Sequence, residues 1–366
     1  MEPYKPEQMP IRSLDWDALI PSIGVTHAAV ARYDGILQAM VNPGILLSPL
    51  TTQEAVLSSR IEGTRATLED VLQYDAAPRK DAERVDDIKE VVNYRTAMQQ
   101  AVKWLKGDTL GMELACRIHE MLLAGVRGQA KAPGKIRVSQ NYIGHRGASI
   151  ENAIYIPPTP DVLKPALVNL NEFMNAPFKD QVVQAALVHA QFELLHPFLD
   201  GNGRVGRILI PLMMYASGQM GSPTFYISEY FEDNRPSYYD RLAAVSVRQD
   251  WQGWTTFFLQ AVSTQATLNS QRASAILDLY RRMKDEINEV TRSQFALQTL
   301  DALFDRPLLT MPEFVKRSGI PRRTAFRILD ALQAARILQV REEGAGRRPA
   351  VLAFSKLVAI TEQKKF

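Results

Sequence analysis

Residues 196–207 contain the side chains of this sequence whose types and spacing are best suited to chemistry. The segment reads HPFLDGNGRVGR and lies between two apolar stretches that are typical of helices. Gly201, Asn202 and Gly203 favour a turn in which backbone amide hydrogens converge on one point, and the helix that follows adds its positive N-terminal end. The pattern therefore predicts an anion-binding loop.

Four charged or titratable side chains accompany this loop. Arg204 and Arg207 are three residues apart, so they share one side of the first helical turn and can fork onto phosphate oxygens. Asp200 offers a hard oxygen ligand for Mg²⁺, and His196 titrates close enough to neutrality to take a proton from an incoming nucleophile. These residues indicate a site for a nucleotide polyphosphate with its metal. The alternative is a glycine-rich loop that joins two helices and carries surface arginines.

The segment resembles the signature His-Pro-Phe-x-Asp/Glu-Gly-Asn-Gly-Arg-x-x-Arg of Fic-domain proteins at every specified position. Members of that family transfer AMP from Mg-ATP to a hydroxyl side chain of a target protein and release pyrophosphate. The resemblance implies that His196 is the general base and that Asp200 binds Mg²⁺. The nucleotide-binding residues that it implies are Gly201, Asn202, Gly203, Arg204, Val205, Gly206 and Arg207.

The likeness extends to two further segments. RVSQNYIG (137–144) with IYIPP (154–158) resembles the family's flap, a β-hairpin that holds an extended target segment by adding it as a strand. Tyr155 and Ile156 are the residues of the flap that we expect to contact the target. YFEDNRPSYYDRL resembles the segment that lines the adenine pocket and suggests Tyr238 and Tyr239 near the base, with tyrosines packed in a helical core as the alternative.

An inhibitory element is predicted at residues 51–63. A capping box from Thr51 to Glu54 and a left-handed cap at Gly63 bound a short helix, on which Ser58 and Glu62 share a face. The spacing Ser58-x-x-x-Glu62-Gly63 matches the family's inhibitory motif. The resemblance implies that Glu62 pairs with Arg207, occupies the space of the ATP γ-phosphate and restrains the reaction without a separate antitoxin.

The last 60 residues differ in charge from the rest. Residues 307–366 contain 12 Lys/Arg and 5 Asp/Glu, a net charge of +7 in a chain whose total is +3. Three helical patterns and two short strands from residue 297 predict a winged helix, which makes DNA a candidate partner. A protein-docking or dimerising module is the open alternative. The candidate phosphate contacts are Arg322, Arg323 and Arg327 at the start of the recognition helix and Arg347 and Arg348 on the wing.

Apolar segments with hydrophobic residues three and four apart predict a mainly α fold: a Fic-type helical core with a small β-hairpin flap, followed by the winged helix. Residues 179–195, apolar almost all round, are expected at the centre of the core. The predicted segments are an N-terminal helical region (1–105), the Fic core (106–265), a helical linker (266–296) and the winged-helix domain (297–366).

Composition fits an ordinary globular chain of 366 residues, with 46% apolar and 23% charged residues. No apolar run is long enough to span a membrane, and no signal peptide is readable. The lone Cys116 cannot form an internal disulfide. We therefore expect a cytoplasmic protein without a membrane-spanning segment. Cys116 itself is expected to be a small buried residue. No histidine or cysteine cluster has the spacing of metal ligands.

The function expected from these features is protein adenylylation with ATP as co-substrate, directed at target proteins and at the chain itself. Two alternatives stay open. The chain is either a DNA-binding regulator whose core senses nucleotide, or an enzyme that removes AMP at the same site with Glu62 positioning water. A homodimer is a further expectation, drawn from the family alone.

Overall fold

The computed structural model describes residues 2–78, 84–107, 109–144, 149–346 and 348–363 of the chain. Helices dominate these residues, which confirms the prediction of a mainly α fold. The first helices are α1 (Trp16–Gln38), α2 (Pro43–Leu46), α3 (Ser48–Ile61), α4 (Leu68–Ala76), α5 (Val85–Leu105) and α6 (Met112–Leu122). The next are α7 (Pro160–Asn175), α8 (Gln181–Leu195), α9 (Asn202–Ala216), α10 (Ser228–Asp233), α11 (Arg235–Arg248) and α12 (Trp251–Thr291).

The C-terminal elements combine short helices with three short strands. They are α13 (Ala296–Asp305), β1 (Leu308–Thr310), α14 (Met311–Ser318), α15 (Arg322–Ala334), β2 (Gln339–Glu342), β3 (Val351–Ala353) and α16 (Ser355–Glu362). The strands form an antiparallel sheet in the order β1, β3, β2. Sequence reasoning predicted α13, α14, α15 and the last two strands but missed β1 and α16. Assignment of this region as a winged-helix domain stays a prediction.

Residue contacts divide the chain into two units that are each discontinuous in sequence. One comprises Met1–Asp34, Leu57–Thr64 and Asn93–Ala266, and the other comprises Gly35–Val56, Arg65–Val92 and Thr267–Phe366. The four predicted segments are each continuous in sequence, unlike these two units. The division of the chain into those four segments stays a prediction. The candidate catalytic motif and the predicted inhibitory residues all fall within the first unit.

Helix α8 forms the centre of the first unit. It packs against α7, α9 and α11, and only Gln181 and Glu193 among its residues keep appreciable exposed surface. The side chain of Asp180 caps its N-terminus by accepting from the amides of Val182 and Val183, each at 2.9 Å. The predicted central helix is therefore confirmed, and its C-terminal end delivers the candidate base.

Helix α3 begins earlier than its sequence suggests and ends at Ile61, so Glu62 lies in the turn that follows the helix and not on the helix as predicted. Thr51 lies inside α3, where its hydroxyl donates to the carbonyl of Leu47 at 3.2 Å, so the predicted capping box is wrong. A capping box occurs instead at the start of α4, between Thr67 and Asp70. The expected left-handed residue at Gly63 is confirmed, with a φ of 97°.

In the second unit, α4 packs on the C-terminal sheet. Their shared apolar cluster comprises Leu68, Leu72, Ala76, Leu308, Val351 and Ala353. Ion pairs from Asp75 to Arg306 and from Glu69 to Arg341 connect the same elements. No local pattern predicts this packing, because the partners are more than 200 residues apart in the chain.

Burial tests the expectation for Cys116. Cys116 is only partly buried, because the inward face of α6 is formed by Leu114, Ile118 and Leu122. Across the described parts of the chain, every helix is too short or too polar to cross a membrane.

We expect the substitution Leu72→Ala to lower the free energy of unfolding by about 2–4 kcal/mol, because Leu72 is 1% exposed in the cluster between α4 and the sheet. Urea denaturation followed by circular dichroism measures the change, and hydrogen exchange should lose protection in β1 and β3. Leu297→Ala is the matched control, since Leu297 is 52% exposed. Equal losses for the two variants would contradict the packing of α4 on the sheet.

Candidate active site

The motif 196–207 forms a loop between α8 and α9. Gly201 is the N-cap of α9 and has a φ of 76°, a left-handed conformation that glycine adopts without strain. The side chain of Asn202 closes the loop by pairing with Phe198, accepting from its amide at 2.8 Å and donating to its carbonyl at 2.9 Å. The loop is thus held by its own residues, and the amides of the first turn of α9 lack acceptors within the helix. This geometry suits an anion.

His196 is the C-cap of α8 and has left-handed backbone angles, φ 48° and ψ 60°. Its Nδ1 atom lies 3.3 Å from the carbonyl of Glu193, which can only accept, so the ring proton is on Nδ1 and Nε2 carries the lone pair. Burial lowers the pKa of His196 to about 4, although Glu62 and Asp200 oppose the shift. His196 is therefore neutral at pH 7 and able to accept a proton at Nε2.

Asp200 and Arg204 lie side by side at the mouth of the loop. Their Oδ1 and guanidinium NH2 atoms are 3.7 Å apart, and the Asp200 side chain is 45% exposed while that of Arg204 is 4% exposed. Gly128 allows the carboxylate to come close, because a Cβ there would lie 3.0 Å from its Oδ2 atom. Asp200 is thus accessible to a ligand of the loop, beside a cation.

His119 binds the backbone carbonyl of Asp200. It was not among the predicted site residues. The amide of Gly134 donates to its Nδ1 at 2.9 Å, so its proton is on Nε2, which donates to the carbonyl of Asp200 at 2.9 Å. Its ring stacks on Phe198 with centroids 3.9 Å apart, and burial lowers its pKa to about 4. A titratable side chain on the apolar face of a predicted helix is the signal that could have found it.

Arg207 is fully buried and joins the motif to α3. Its Nε donates to Oγ of Ser58 at 2.8 Å, and its NH2 donates to the carbonyl of Ser58 at 2.9 Å and to Oε1 of Glu62 at 2.7 Å. The expected pairing of Glu62 with Arg207 is therefore present in the structure. Ser58 contributes two of the three contacts, a hydroxyl and a carbonyl oxygen.

The carboxylate of Glu62 lies directly over the anion-binding loop. A Cβ placed on Gly203 would be 2.1 Å from Glu62 Oε1, a distance that leaves room for no side chain. Burial alone would raise the pKa of Glu62, but the ion pair and hydrogen bond with Arg207 outweigh burial and lower it. The Glu62 carboxylate thus lies against Gly203, in the position over the loop where another anion would have to bind.

Three predicted nucleotide contacts face the protein interior instead. Val205 is fully buried, and a Cβ on Gly206 would lie 2.3 Å from the carboxylate of Glu193. Gly206 thus faces α8, which carries Glu193, and Val205 is enclosed in the core. Burial raises the pKa of Glu193 to about 8, which keeps this neighbour of Arg207 largely uncharged at pH 7.

Tyr238 is the third such residue, and the core alternative is correct for it. Its side chain is 1% exposed, its hydroxyl lies 3.0 Å from Nε2 of His189, and its ring stacks on Phe231. Tyr239 differs, being 44% exposed. Burial and the charge of Glu62 raise the pKa of Tyr239 to about 12. The Tyr239 hydroxyl therefore interacts electrostatically with Glu62. Tyr239 stays a candidate for the adenine pocket.

The flap has less regular pairing than predicted. Among its described residues the two predicted strands meet in one bridge, Ile143 with Tyr155, and residues 145–148 lie outside the described part. The side chains of Tyr155 and Ile156 face the protein, and the expected contact of these residues with a target stays a prediction. The Tyr155 hydroxyl donates to the carbonyl of Leu194 at 2.5 Å, and Ile156 is 5% exposed with its carbonyl accepting from Tyr4. The outward apolar side chains are Val138, Tyr142, Ile143 and Ile154.

The candidate phosphate contacts of the C-terminal region are in the second unit. Arg322, Arg323 and Arg327 are exposed on the first turns of α15, and Arg348 is exposed after β2. Arg347 lies outside the described residues. Exposure agrees with a role in contacting an acidic partner, and that role stays a prediction.

Comparisons with known proteins agree with this geometry. The model of the Fic/DOC family N-terminal region matches residues 20–103, and the model of the Fic/DOC family matches residues 109–214. A probable protein adenylyltransferase of Aquifex aeolicus is 29% identical over 180 residues, which is 47% of this chain and 50% of that protein. Protein adenylyltransferase fic-1 of Caenorhabditis briggsae is 34% identical over 88 residues, 23% of this chain and 16% of that protein.

Solved structures show the same fold. A Fic family protein from Desulfovibrio desulfuricans G20 superposes with a TM-score of 0.57 at 19% identity, covering 97% of this chain and 98% of that one. Fic-1 (residues 134–508) of Caenorhabditis elegans gives a TM-score of 0.53 at 19% identity, covering 72% and 74%. The fold and the loop together define a Fic-type helical core. The two family models span more than half of the sequence, so the chain belongs to the Fic/DOC family.

The chain spans half or less of the length of these two curated relatives. Their names describe those proteins, and identities of this size do not carry individual residue roles to this chain.

We expect Glu62→Gln to lower the free energy of unfolding by about 1–2 kcal/mol at pH 7, because it removes the charge that faces Arg207. Since folding lowers the pKa of Glu62, the stabilisation is complete above the unfolded pKa of about 4.3 and is lost as the pH falls through the folded value. Urea denaturation of both proteins should give a larger difference above about pH 5 than below about pH 4. Glu172→Gln, at an exposed position, is the control. A difference that grows as the pH falls would contradict the ion pair.

Proposed function

We propose that this chain is a protein adenylyltransferase, which transfers AMP from Mg-ATP to Tyr, Thr or Ser hydroxyls of target proteins and of itself, and which Glu62 restrains. The family and the names of the curated relatives support the reaction class. The observation that carries the proposal is the position of Glu62, whose carboxylate pairs with Arg207 directly over the loop that suits an anion. A site that holds one anion in this way is suited to exchange it for another.

His196 is the proposed general base. Its Nε2 lone pair takes the proton of the target hydroxyl, and the hydroxyl oxygen forms a bond to the α-phosphorus of ATP. The bond from that phosphorus to the bridging oxygen of the β-phosphate breaks, and pyrophosphate leaves. The fixed Nδ1 proton supports this role because it leaves Nε2 unprotonated. Since the pKa of His196 is about 4, the fraction of His196 that is neutral and able to accept a proton should not change from pH 6 to 8.

The loop and two arginines are the proposed phosphate site. The amides at the start of α9 would receive the α- and β-phosphate oxygens, and the positive end of the helix dipole favours their charge. Arg204 lies beside Asp200 at the mouth of the loop. Arg207 is suited to the γ-phosphate once Glu62 has left, since a buried cation needs an anionic partner.

Mg²⁺ would be held by Asp200 together with phosphate oxygens of the nucleotide, a common set for this ion. Asp200 fits that role, because its carboxylate is partly exposed next to the loop and its backbone is fixed by His119. Within the described ranges no three or more possible metal-ligating side chains cluster, so the nucleotide would supply the other ligands. When bound, the ion neutralises charge on the phosphates.

Glu62 is the proposed brake. Its carboxylate takes the Arg207 contact and lies against Gly203, so a triphosphate could not place its γ-phosphate there while Glu62 stays. Nucleotide bound in any other pose would not present the α-phosphate for in-line attack. Removing the carboxylate should therefore raise transfer and leave the base and the loop intact.

Binding of DNA through the C-terminal region and self-association are additional proposals. The exposed arginines of α15 and the local excess of positive charge support the first. The second rests on the family alone.

We expect Glu62→Gly to acquire an AMP adduct on incubation with Mg-ATP, the wild type to acquire little, and Glu62→Gly with His196→Ala to lose about 10²–10⁴-fold of the rate. Intact-mass spectrometry of the purified proteins reports the adduct, and matched nucleotides test the choice of ATP. The reason is that the first change frees Arg207 and the second removes the base.

Arg60→Gly is the matched control, because it places a glycine in the last turn of α3, two residues before Glu62, and leaves both partners of the ion pair in place. The control should behave as the wild type. An adduct of equal size in Arg60→Gly and Glu62→Gly would refute the brake, and an adduct that survives His196→Ala at full rate would refute the base. No adduct in Glu62→Gly, on itself or on proteins of a lysate, would overturn the transfer reaction.

A further inference from the structure

Arg137 is a buried cation that has no role in the proposed function described above. It lies at the start of the flap and is 3% exposed. Its Nε donates to the carbonyl of His196 at 2.9 Å, and its NH2 donates to Pro158 at 2.6 Å and to Leu195 at 3.3 Å. NH1 donates to the carbonyl of Ser139 at 3.2 Å. One guanidinium thus binds four backbone carbonyls.

These carbonyls come from the places that must be aligned for transfer. Leu195 and His196 end the helix that carries the base, whereas Ser139 and Pro158 lie on the two sides of the flap segment. The backbone amide of Arg137 adds a fifth contact, to the carbonyl of Pro197 at 2.9 Å. Both sides of the flap are therefore tied to the backbone of His196 through one side chain.

The backbone at His196 needs such support. A left-handed conformation is strained for a residue other than glycine and persists only where its surroundings enforce it. The last carbonyls of a helix lack intrahelical donors, and a cation at that end is favoured by the helix dipole. Arginine suits this position because it stays charged when buried and presents five N–H donors in a rigid fork.

We propose that Arg137 is a positioning residue, which holds the flap and the imidazole of His196 in one fixed relation so that a hydroxyl on a flap-bound target meets Nε2. The inference rests on the proposed function for its consequence in catalysis. Its structural part, the fixed orientation and tautomer of His196, is independent of that function. Arg137 contacts no group of the phosphate loop beyond these backbone carbonyls in the described residues, so nucleotide binding should not depend on it.

The first test observes the imidazole directly. Long-range ¹H–¹⁵N NMR spectra of histidine side chains distinguish the two tautomers, and the signals lost in His196→Ala identify His196. In the Glu62→Gly background we expect the Nδ1–H tautomer. With Arg137→Met added we expect a mixture of tautomers and a higher pKa, because Arg137 opposes protonation of His196 while Asp200, the other charged group that faces it, favours protonation.

Asn141→Ala is the matched control for this measurement. Asn141 also ties the flap to the motif, donating to the carbonyl of Phe198 at 3.1 Å, but it does not contact residues 195 or 196. Its His196 signals should equal those of the parent. Arg137→Lys is the second variant, which keeps the charge but cannot fork onto four carbonyls, and should lie between the parent and Arg137→Met.

Kinetics in the Glu62→Gly background supply the second test. We expect Arg137→Lys to lower kcat roughly 10- to 100-fold with the KM for ATP within about twofold of the parent, since misalignment affects transfer more than binding. Thermal denaturation verifies that the variants are folded.

The inference is overturned if folded Arg137→Met and Arg137→Lys keep the parent tautomer and pKa of His196, or if both lose ATP binding and transfer equally. Absence of transfer in the Glu62→Gly parent would instead refute the proposed function. The NMR result would still decide whether Arg137 positions His196.

Discussion

The candidate site is organised around one buried cation, the guanidinium of Arg207. A charge without exposure to water is stable only if it is paired and hydrogen-bonded, and here Ser58 and Glu62 supply the oxygens. The neighbouring carboxyl of Glu193 is held largely neutral by burial, so Glu62 is the charged partner that Arg207 contacts directly. In the proposed function this pairing is a competition, because a phosphate would satisfy the same cation.

The opposite end of the loop is governed by backbone geometry. The C-terminus of α8 turns through a left-handed histidine, a left-handed glycine caps α9, and the side chain of Asn202 at the start of α9 closes the loop. His119 and Arg137 hold the carbonyls of Asp200 and His196 from the two flanking segments. Neutral histidines at both positions follow from burial, which disfavours the charged ring. The backbone at the candidate base and at the candidate metal ligand is thus held by hydrogen bonds from these two side chains.

Sequence reasoning reached the parts of this arrangement that are local. The order of glycines, Asp200 and the two arginines lies within twelve residues, and the four-residue spacing of Ser58 and Glu62 brings both to Arg207, although α3 ends at Ile61. What it missed depends on partners distant in the chain. Tyr238 and Gly206 face inward because α8 lies behind them, and α4 packs on a sheet formed by residues more than 200 positions later. The error at Thr51 has a different origin, since a helix that begins earlier leaves that residue no capping role.

The central claim is that Glu62 and a nucleotide phosphate compete for Arg207. The most direct measurement is a crystal structure of Glu62→Gly with Mg²⁺ and a non-hydrolysable ATP analogue, compared with the wild type grown under the same conditions. We expect the γ-phosphate to lie on Arg207 in the variant, with the α-phosphate facing Nε2 of His196. In the wild type we expect Glu62 to keep its contact with Arg207. A triphosphate bound in the same pose in both proteins, with the Glu62–Arg207 pair intact in the wild type, would contradict it.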